Sequence, residues 1–181
     1  KATGIVKELG LDESEYGVLT LHRPSNVDDV ESLAGIIETL EKVCSQVILV
    51  FPMHPRTRSR AESFGLMERF DSIEGMLITE PLGYHQFQGL VASSRLVLTD
   101  SGGLQEETTA LGIPCLTMRE NTERPITVTE GTNIIVGTDQ SMILECVADI
   151  LQDGGKAGRV PNLWDGRAAE RMAEVILSYL S

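Results

Sequence analysis

The segment Asp100–Gly103, with the sequence D-S-G-G, constrains the fold of this chain more than any other segment. It follows Arg95–Thr99, an apolar stretch typical of a strand, and precedes Leu104–Leu111, which has helical spacing. Two glycines there would leave backbone N–H groups at a helix N-terminus accessible to an anion, and the helix dipole would add ~0.3–2 kcal/mol. Ser101 could cap the helix or donate its hydroxyl to the ligand. The segment predicts an anion site, with a tight, ordinarily capped turn as the simpler alternative.

Strand and helix patterns alternate along the rest of the chain. Further strands are predicted at Tyr16–Leu21, Val47–Phe51, Met76–Thr79, Pro114–Met118 and Asn133–Val136. Helical patterns cover Val27–Val43, Pro55–Phe64, Tyr84–Ala92, Met142–Leu151 and Ala168–Leu180, and Gly154–Trp164 is predicted to be a loop. Such alternation predicts a Rossmann-like, three-layer α/β/α domain with a mostly parallel sheet.

Composition limits the class of protein. A chain of 181 residues can bury one core without staples, so we expect a single domain over residues 1–181. No apolar stretch approaches the roughly 20 residues of a membrane span. Cys44, Cys115 and Cys146 are odd in number and form no C-x-x-C pair, which predicts reduced thiols, a cytoplasmic location and no metal site. The net charge of −12 argues against nucleic acid and anionic membranes as partners.

An anionic ligand would therefore need a local concentration of cations. Eleven of the basic residues are arginines and four are lysines, and arginine suits bidentate phosphate recognition. Six arginines fall in or near predicted loops or helix starts: Arg23, Arg56, Arg58, Arg60, Arg119 and Arg124. We expect Arg119 and Arg124, which follow the predicted strand Pro114–Met118, to fold back onto the anion.

Polar residues follow the predicted strands, where ligands of open parallel sheets bind. His22 and His54 both occupy such positions, so a ligand-facing role is favoured over that of an exposed loop histidine. His85 lies at a helix start and is interpreted as structural. Ser25 and Asn26 are interpreted as caps of a helix that begins near Val27.

Other candidates have plain alternatives. Glu106 and Glu107 could be ordinary first-turn acids, although a carboxylate one turn behind a phosphate loop could accept ribose hydroxyls. Tyr84 and Phe87 could be core residues of an amphipathic helix. Neither G-x-G-x-x-G nor G-x-x-x-x-G-K-[ST] occurs, so dinucleotide and P-loop sites are weak hypotheses.

Taken together, these motifs resemble the C-terminal half of the non-hydrolysing UDP-N-acetylglucosamine 2-epimerases, which have the two-domain GT-B fold. The resemblance runs nearly end to end. Its main carriers are L-T-L-H-R-P-S-N at Leu19–Asn26, F-P-M-H-P at Phe51–Pro55, D-S-G-G-L-Q-E-E at Asp100–Glu107 and R-E-N-T-E-R-P at Arg119–Pro125. Shorter carriers are L-G-I-P at Leu111–Pro114, G-T-N-I-I-V-G at Gly131–Gly137 and D-G-R-A-A-E-R at Asp165–Arg171.

The resemblance implies a role for each matching residue. Ser101, Gly102 and Gly103 would hold the UDP phosphates, and Glu107 the ribose hydroxyls. Arg23 and Arg124 would also bind UDP, with Arg124 at the pyrophosphate. Phe87 matches the residue that contacts uracil through its backbone, His22 the catalytic histidine near the reacting sugar, and His54 a histidine of a second, regulatory UDP-sugar site. The chain departs from the family at R-P-S-N, where R-R-E-N is common, and at R-P-I, where R-P-E is common.

The resemblance also implies the reaction. The family interconverts UDP-N-acetylglucosamine and UDP-N-acetylmannosamine by eliminating UDP and adding it back, without a cofactor. The carboxylates that exchange the C2 proton belong to an N-terminal domain that this chain lacks, so we expect the chain alone to be inactive and that domain to be its partner. A homodimer is a further candidate assembly. A GT-B glycosyltransferase and a non-catalytic UDP-sugar sensor are the alternatives.

Overall fold

The computed structural model describes residues 4–11 and 15–180. The strands are β1 (Tyr16–Thr20), β2 (Ile48–Pro52), β3 (Met76–Thr79), β4 (Leu96–Thr99), β5 (Cys115–Thr117) and β6 (Asn133–Ile135). The helices are α1 (Gly4–Glu8), α2 (Pro24–Val27), α3 (Val30–Cys44), α4 (Pro55–Ser63), α5 (Met67–Asp71), α6 (Tyr84–Ala92), α7 (Gly102–Leu111), α8 (Pro125–Thr129), α9 (Gln140–Asp153) and α10 (Ala168–Leu180). The strands form one parallel sheet in the order β3-β2-β1-β4-β5-β6. The predicted fold class is confirmed.

The sheet is buried on both faces because its strands are apolar at successive positions. Leu19, Leu49 and Leu98 pack on one face, in a cluster that includes buried residues of α3 and α9. Val18 and Val97, one position along their strands, pack on the other face beneath residues of α1, α6 and α7. Alternate side chains thus hold helices against both faces, which is the usual arrangement of a parallel sheet.

The sequence located the strands and long helices but missed the local structure after β1. A single helix was expected from Val27, with Ser25 and Asn26 as its caps, and this was wrong. Val27 ends the short helix α2, and Asp29 caps α3 by accepting a 2.8 Å hydrogen bond from the Ser32 N–H. The short helices α1, α5 and α8 were not predicted, since five residues carry too little periodicity to be recognised.

The order of the strands indicates where on the sheet a ligand would bind. From β1, the chain proceeds outward through β2 and β3, then crosses back to β4 on the other side of β1. At such a reversal, the loops that follow the two central strands separate and leave a crevice at their carboxyl ends. In this chain those loops begin at Leu21 and Asp100.

Helix α10 presents an apolar surface that the rest of the described chain does not cover. It has no buried residue, and Val175, Leu177 and Tyr179 are 67%, 68% and 90% exposed. An isolated helix of about this length is marginal in water and is usually stabilised by packing of its apolar face. Across residues 4–11 and 15–180, no helix is both long and apolar enough to cross a membrane.

Candidate active site

The site is organised around Asp100, a fully buried carboxylate at the end of β4. Its Oδ2 atom accepts hydrogen bonds from the backbone N–H groups of His22 (2.9 Å) and Arg23 (2.8 Å), which follow β1. The same oxygen accepts a 3.3 Å bond from Asn26 Nδ2. Asn26 also donates to the carbonyl of Met118, at 3.0 Å, beyond β5. Asp100 and Asn26 together therefore join the loops that follow β1, β4 and β5.

The ionised form of Asp100 suits this environment. Burial raises the pKa of the carboxyl, but the interaction with the His22 side chain and the hydrogen bonds from the Arg23 and His22 N–H groups outweigh it and leave the pKa below its ordinary value. Asp100 Oδ1 lies at an ion-pair distance of 2.9 Å from His22 Nδ1 but makes no well-aligned hydrogen bond among the described residues. The carboxylate therefore orients the imidazole through Nδ1 and leaves Nε2 on the opposite side of the ring.

A cavity of about 350 Å³ lies beside this pair. Such a volume is at the lower end of the range for small-molecule sites. The cavity is lined by Thr20, Leu21, His22, Pro52, His54, Pro81, Leu82, Tyr84, Phe87, Ser101, Gly103, Leu104 and Glu107. Six residues to which the family resemblance assigns a role therefore line one cavity: His22, His54, Phe87, Ser101, Gly103 and Glu107.

The two histidines lie side by side. Their ring centroids are 5.4 Å apart, at an interplanar angle of 37°. His54 Nδ1 accepts a 3.1 Å hydrogen bond from the Arg56 N–H and so caps α4. His54 consequently has a structural role at the start of α4 in addition to its position in the cavity.

The N-terminus of α7 opens towards this cavity. Ser101 is the N-cap residue, but its hydroxyl makes no capping bond to the helix. A Cβ atom added to Gly103 would meet no atom within 4 Å. The site thus offers backbone N–H groups, a hydroxyl and free space at the positive end of a helix, as anion sites do.

Arginines flank the same helix end. A Cβ atom on Gly102 would lie 3.9 Å from both Arg23 Nη2 and Arg119 Nη1, and 3.6 Å from Glu123 Oε2. Arg119 donates to both Glu123 oxygens, at 2.9 and 2.7 Å, and these side-chain hydrogen bonds lower the pKa of Glu123 to about 2. Arg23 Nε donates to the Asp100 carbonyl at 3.3 Å. A phosphate at Gly102 would share these cations with Glu123.

Arg124 and Glu107 each have a protein partner. Arg124 does not line the cavity, and its Nε atom lies 3.0 Å from Glu106 Oε2 on α7. Glu107 accepts a hydrogen bond from Gln88 Nε2 and keeps its place in the cavity wall. Arg56, Arg58 and Arg60 pair with acidic residues of the surrounding loops instead of facing the α7 turn.

Sequence reasoning missed the central contact of the site. Asp100 was interpreted only as part of the turn, and Asn26 as a helix cap. The available signal was an acidic residue placed directly after a strand that is apolar except for Thr99, where burial of the acid demands partners. Within the described ranges, no group of three or more His, Cys, Asp or Glu side chains is arranged to hold a metal ion.

Comparison with known proteins identifies the family. The model of the UDP-N-acetylglucosamine 2-epimerase family matches residues 1–177. A UDP-N-acetylglucosamine 2-epimerase of Methanococcus maripaludis is 41% identical over 140 residues, which cover 76% of this chain and 38% of that protein. A UDP-2,3-diacetamido-2,3-dideoxy-D-glucuronate 2-epimerase of Pseudomonas aeruginosa is 38% identical over 174 residues, which cover 93% of this chain and 46% of that protein.

A solved structure agrees with these sequence matches. The UDP-GlcNAc 2-epimerase of Methanocaldococcus jannaschii, in complex with UDP-GlcNAc and UDP, is 34% identical and has a TM-score of 0.85. The match covers 98% of this chain and 49% of that one, so the chain spans about half the length of the proteins it matches. The sequence motifs, the parallel sheet and the family match over residues 1–177 agree, and the chain belongs to the UDP-N-acetylglucosamine 2-epimerase family.

Proposed function

We propose that this chain is the UDP-binding half of a UDP-N-acetylglucosamine 2-epimerase. The observation that carries the proposal is the glycine turn at the N-terminus of α7, which opens on a cavity beside the His22–Asp100 pair. The nucleotide is the best-supported part of the ligand, because two relatives named for different sugars both act on a UDP-sugar. N-acetylglucosamine is the sugar we propose, and UDP-N-acetylmannosamine the product.

Each part of UDP has a proposed partner. The diphosphate would accept hydrogen bonds from the N–H groups of Gly102 and Gly103 and from the Ser101 hydroxyl, with Arg23 and Arg119 beside it. Phe87 would contact the uracil. Glu107 would accept from the ribose hydroxyls while Gln88 holds its other face. This arrangement uses the helix end for charge and the largely apolar cavity wall for the base.

The same groups would assist bond cleavage. As the sugar C1–O bond breaks, negative charge grows on the leaving diphosphate, and fixed N–H groups and guanidinium cations stabilise it without reorganisation. His22, oriented by Asp100, would face the oxygen that leaves and returns. Proton exchange at C2 needs an acid or base within hydrogen-bond reach. We assign those groups to an N-terminal half and expect this chain alone to bind UDP without turnover.

Gly103→Ala is expected to lower the affinity for UDP by at least ~10-fold, about 1.4 kcal/mol, because the added methyl group occupies the phosphate position. The fold should not change, since the Cβ meets no atom within 4 Å and alanine favours a helix more than glycine does. Calorimetric titration with UDP measures the effect, and a thermal melt checks the fold.

Gly35→Ala is the matched control. Gly35 is an exposed residue of α3, and its added Cβ also meets nothing within 4 Å. It should leave UDP affinity unchanged, whereas Ser101→Ala, which removes a hydroxyl with no capping role, should weaken binding. Equal UDP affinities of wild type and Gly103→Ala would show that the phosphate does not bind at this turn. Absence of UDP binding by the wild type would overturn the proposal.

The partner we propose for α10 is the N-terminal half that the longer relatives contain. The exposed residues Val175, Leu177 and Tyr179 need an apolar cover, and roughly half of each longer relative lies outside this chain. The homodimer and the cytoplasmic location stay predictions.

Backbone amides of α10 are expected to exchange at least ~10-fold more slowly with solvent in the full-length protein than in this chain, since a packed helix opens less often. Amides of α9, which packs on α3 within this chain, are the internal control and should change little. Equal exchange of α10 in both proteins would show that the N-terminal half does not cover it.

A further inference from the structure

A buried hydrogen-bond network behind α7 connects the glycine turn to the loop that carries Arg124. Gln105 is fully buried on α7 and donates through Nε2 to the Ser101 carbonyl, at 3.3 Å. Its Oε1 atom accepts from the Thr122 hydroxyl at 2.5 Å and from Asn133 Nδ2 at 3.1 Å. One side chain thus contacts both the turn and the residue two positions before Arg124.

The network holds the Arg124 backbone at both of its polar groups. The Arg124 N–H donates to Thr122 Oγ1 at 2.9 Å, and its carbonyl accepts from Thr127 Oγ1 at 2.7 Å. Asn133 Nδ2 donates to Thr127 Oγ1 at 3.1 Å. Because the same Nδ2 group also donates to Gln105, the network is closed. Asn133 Oδ1 in turn accepts from the Thr117 hydroxyl at 2.6 Å.

Fully satisfied polar networks of this kind hold their members in one arrangement, because every alternative leaves a buried donor or acceptor without a partner. Gln105 and Asn133 are both fully buried, and burying their amide groups without these hydrogen bonds would destabilise the fold. Apolar side chains at positions 105 and 133 would fill the space behind α7 equally well. Compared with them, Gln105 and Asn133 add only the hydrogen bonds that connect α7 to the backbone around Arg124.

The side chain of Arg124 lies close to the N-terminus of α7, so the position of its backbone matters for the proposed phosphate site. Its guanidinium pairs with Glu106, which is four residues after Gly102 and therefore on the same face of α7. Arg124 is thus about one helical turn from the proposed phosphate position, so the placement of its backbone bears directly on whether its guanidinium can reach the diphosphate.

We propose that Thr122 and Gln105 are positioning residues that fix the Arg124 backbone relative to the Ser101 turn, so that the Arg124 guanidinium can bind the diphosphate of UDP. The inference rests on the proposed function, since it assigns the anion that Arg124 meets. Neither Thr122 nor Gln105 lines the cavity. Their effect reaches it through Arg124.

Thr122→Val and Thr122→Ser form the matched test. Valine keeps the shape of threonine but removes both hydrogen bonds, whereas serine keeps the hydroxyl. Thr122 is only half-buried, so both variants should fold. We expect Thr122→Val to weaken UDP binding ~10-fold and Thr122→Ser to stay within ~3-fold of wild type. The exchange rate of the Arg124 amide should rise in Thr122→Val alone.

The Arg124→Ala background separates positioning from general damage. There, Thr122→Val should cause no further loss of UDP affinity, because the residue through which it acts is gone. Full additivity of the two losses, or wild-type affinity in Thr122→Val, would overturn the inference while leaving UDP binding intact. A wild-type chain that fails to bind UDP would instead overturn the proposed function, and the inference with it.

Discussion

Asp100→Asn is expected to lower the free energy of unfolding by about 2–4 kcal/mol at pH 7, because it removes acceptors from a fully buried cluster of donors. Asp100 Oδ2 accepts from two backbone N–H groups and the Asn26 amide, and Oδ1 faces His22 Nδ1. An asparagine has one acceptor oxygen, so its NH₂ group must face either the three donors now bonded to Oδ2 or His22 Nδ1, which could meet it only by giving up its proton. Urea unfolding of the two proteins measures the difference.

The difference between wild type and Asp100→Asn should depend on pH. The native-state pKa of Asp100 lies below its ordinary value, and an unfolded aspartate titrates near ~3.9. The carboxylate therefore contributes stability above pH ~3.9, and this contribution is lost as the pH falls through the lower native-state pKa. Asparagine does not titrate. The difference in free energy of unfolding between the two proteins should therefore have its maximum value above pH ~5 and decrease below pH ~4.

Asp29→Asn is the control for the chemical change itself. Asp29 is exposed and caps α3, and asparagine caps a helix about as well as aspartate does. Its effect should stay within about 0.5 kcal/mol. If the two substitutions cost the same, Asp100 would not be the buried hub of the site.

The elements that the sequence predicted are those whose signals are local. Leu96–Thr99 is a strand because four consecutive apolar or β-branched residues are buried, and the following D-S-G-G turn and helical spacing indicate the start of α7. The strand-end rule then brought His22, His54 and Ser101 to one edge of the sheet, and the cavity contains all three.

The contacts that were missed depend on partners distant in sequence. Asn26 and Asp100 are 74 positions apart, and the Ser25–Asn26 pair resembles a helix cap until Asp29 is seen to occupy that role. Gln105 and Asn133 likewise gain their meaning from partners on either side of Arg124: Gln105 accepts from Thr122 in the loop before α8, and Asn133 donates to Thr127 within α8. Composition indicates that a buried polar residue needs a partner but does not identify it.

His22→Gln is expected to reduce turnover ~10²–10⁴-fold in the full-length epimerase that we propose, a range typical of losing an acid–base group. Glutamine can still hydrogen bond, but its amide cannot give a proton to the substrate oxygen or take one from it, as an imidazole oriented by Asp100 can. Because the phosphate contacts come from α7, the affinity of this chain for UDP should change less than ~3-fold. Steady-state kinetics and UDP titration together measure the two effects.

His85→Gln provides the comparison for this substitution. His85 is exposed on α6, stacks edge-on against Tyr84 with centroids 5.6 Å apart, and does not line the cavity. Its replacement should leave both turnover and UDP affinity unchanged. A His22→Gln enzyme that keeps its turnover would remove His22 from the chemistry, whereas a parallel loss of turnover and UDP affinity would make it a binding residue. Loss of turnover alone, with UDP still bound, is the outcome that follows from an imidazole held at Nδ1 by Asp100 and free at Nε2 to meet the leaving oxygen.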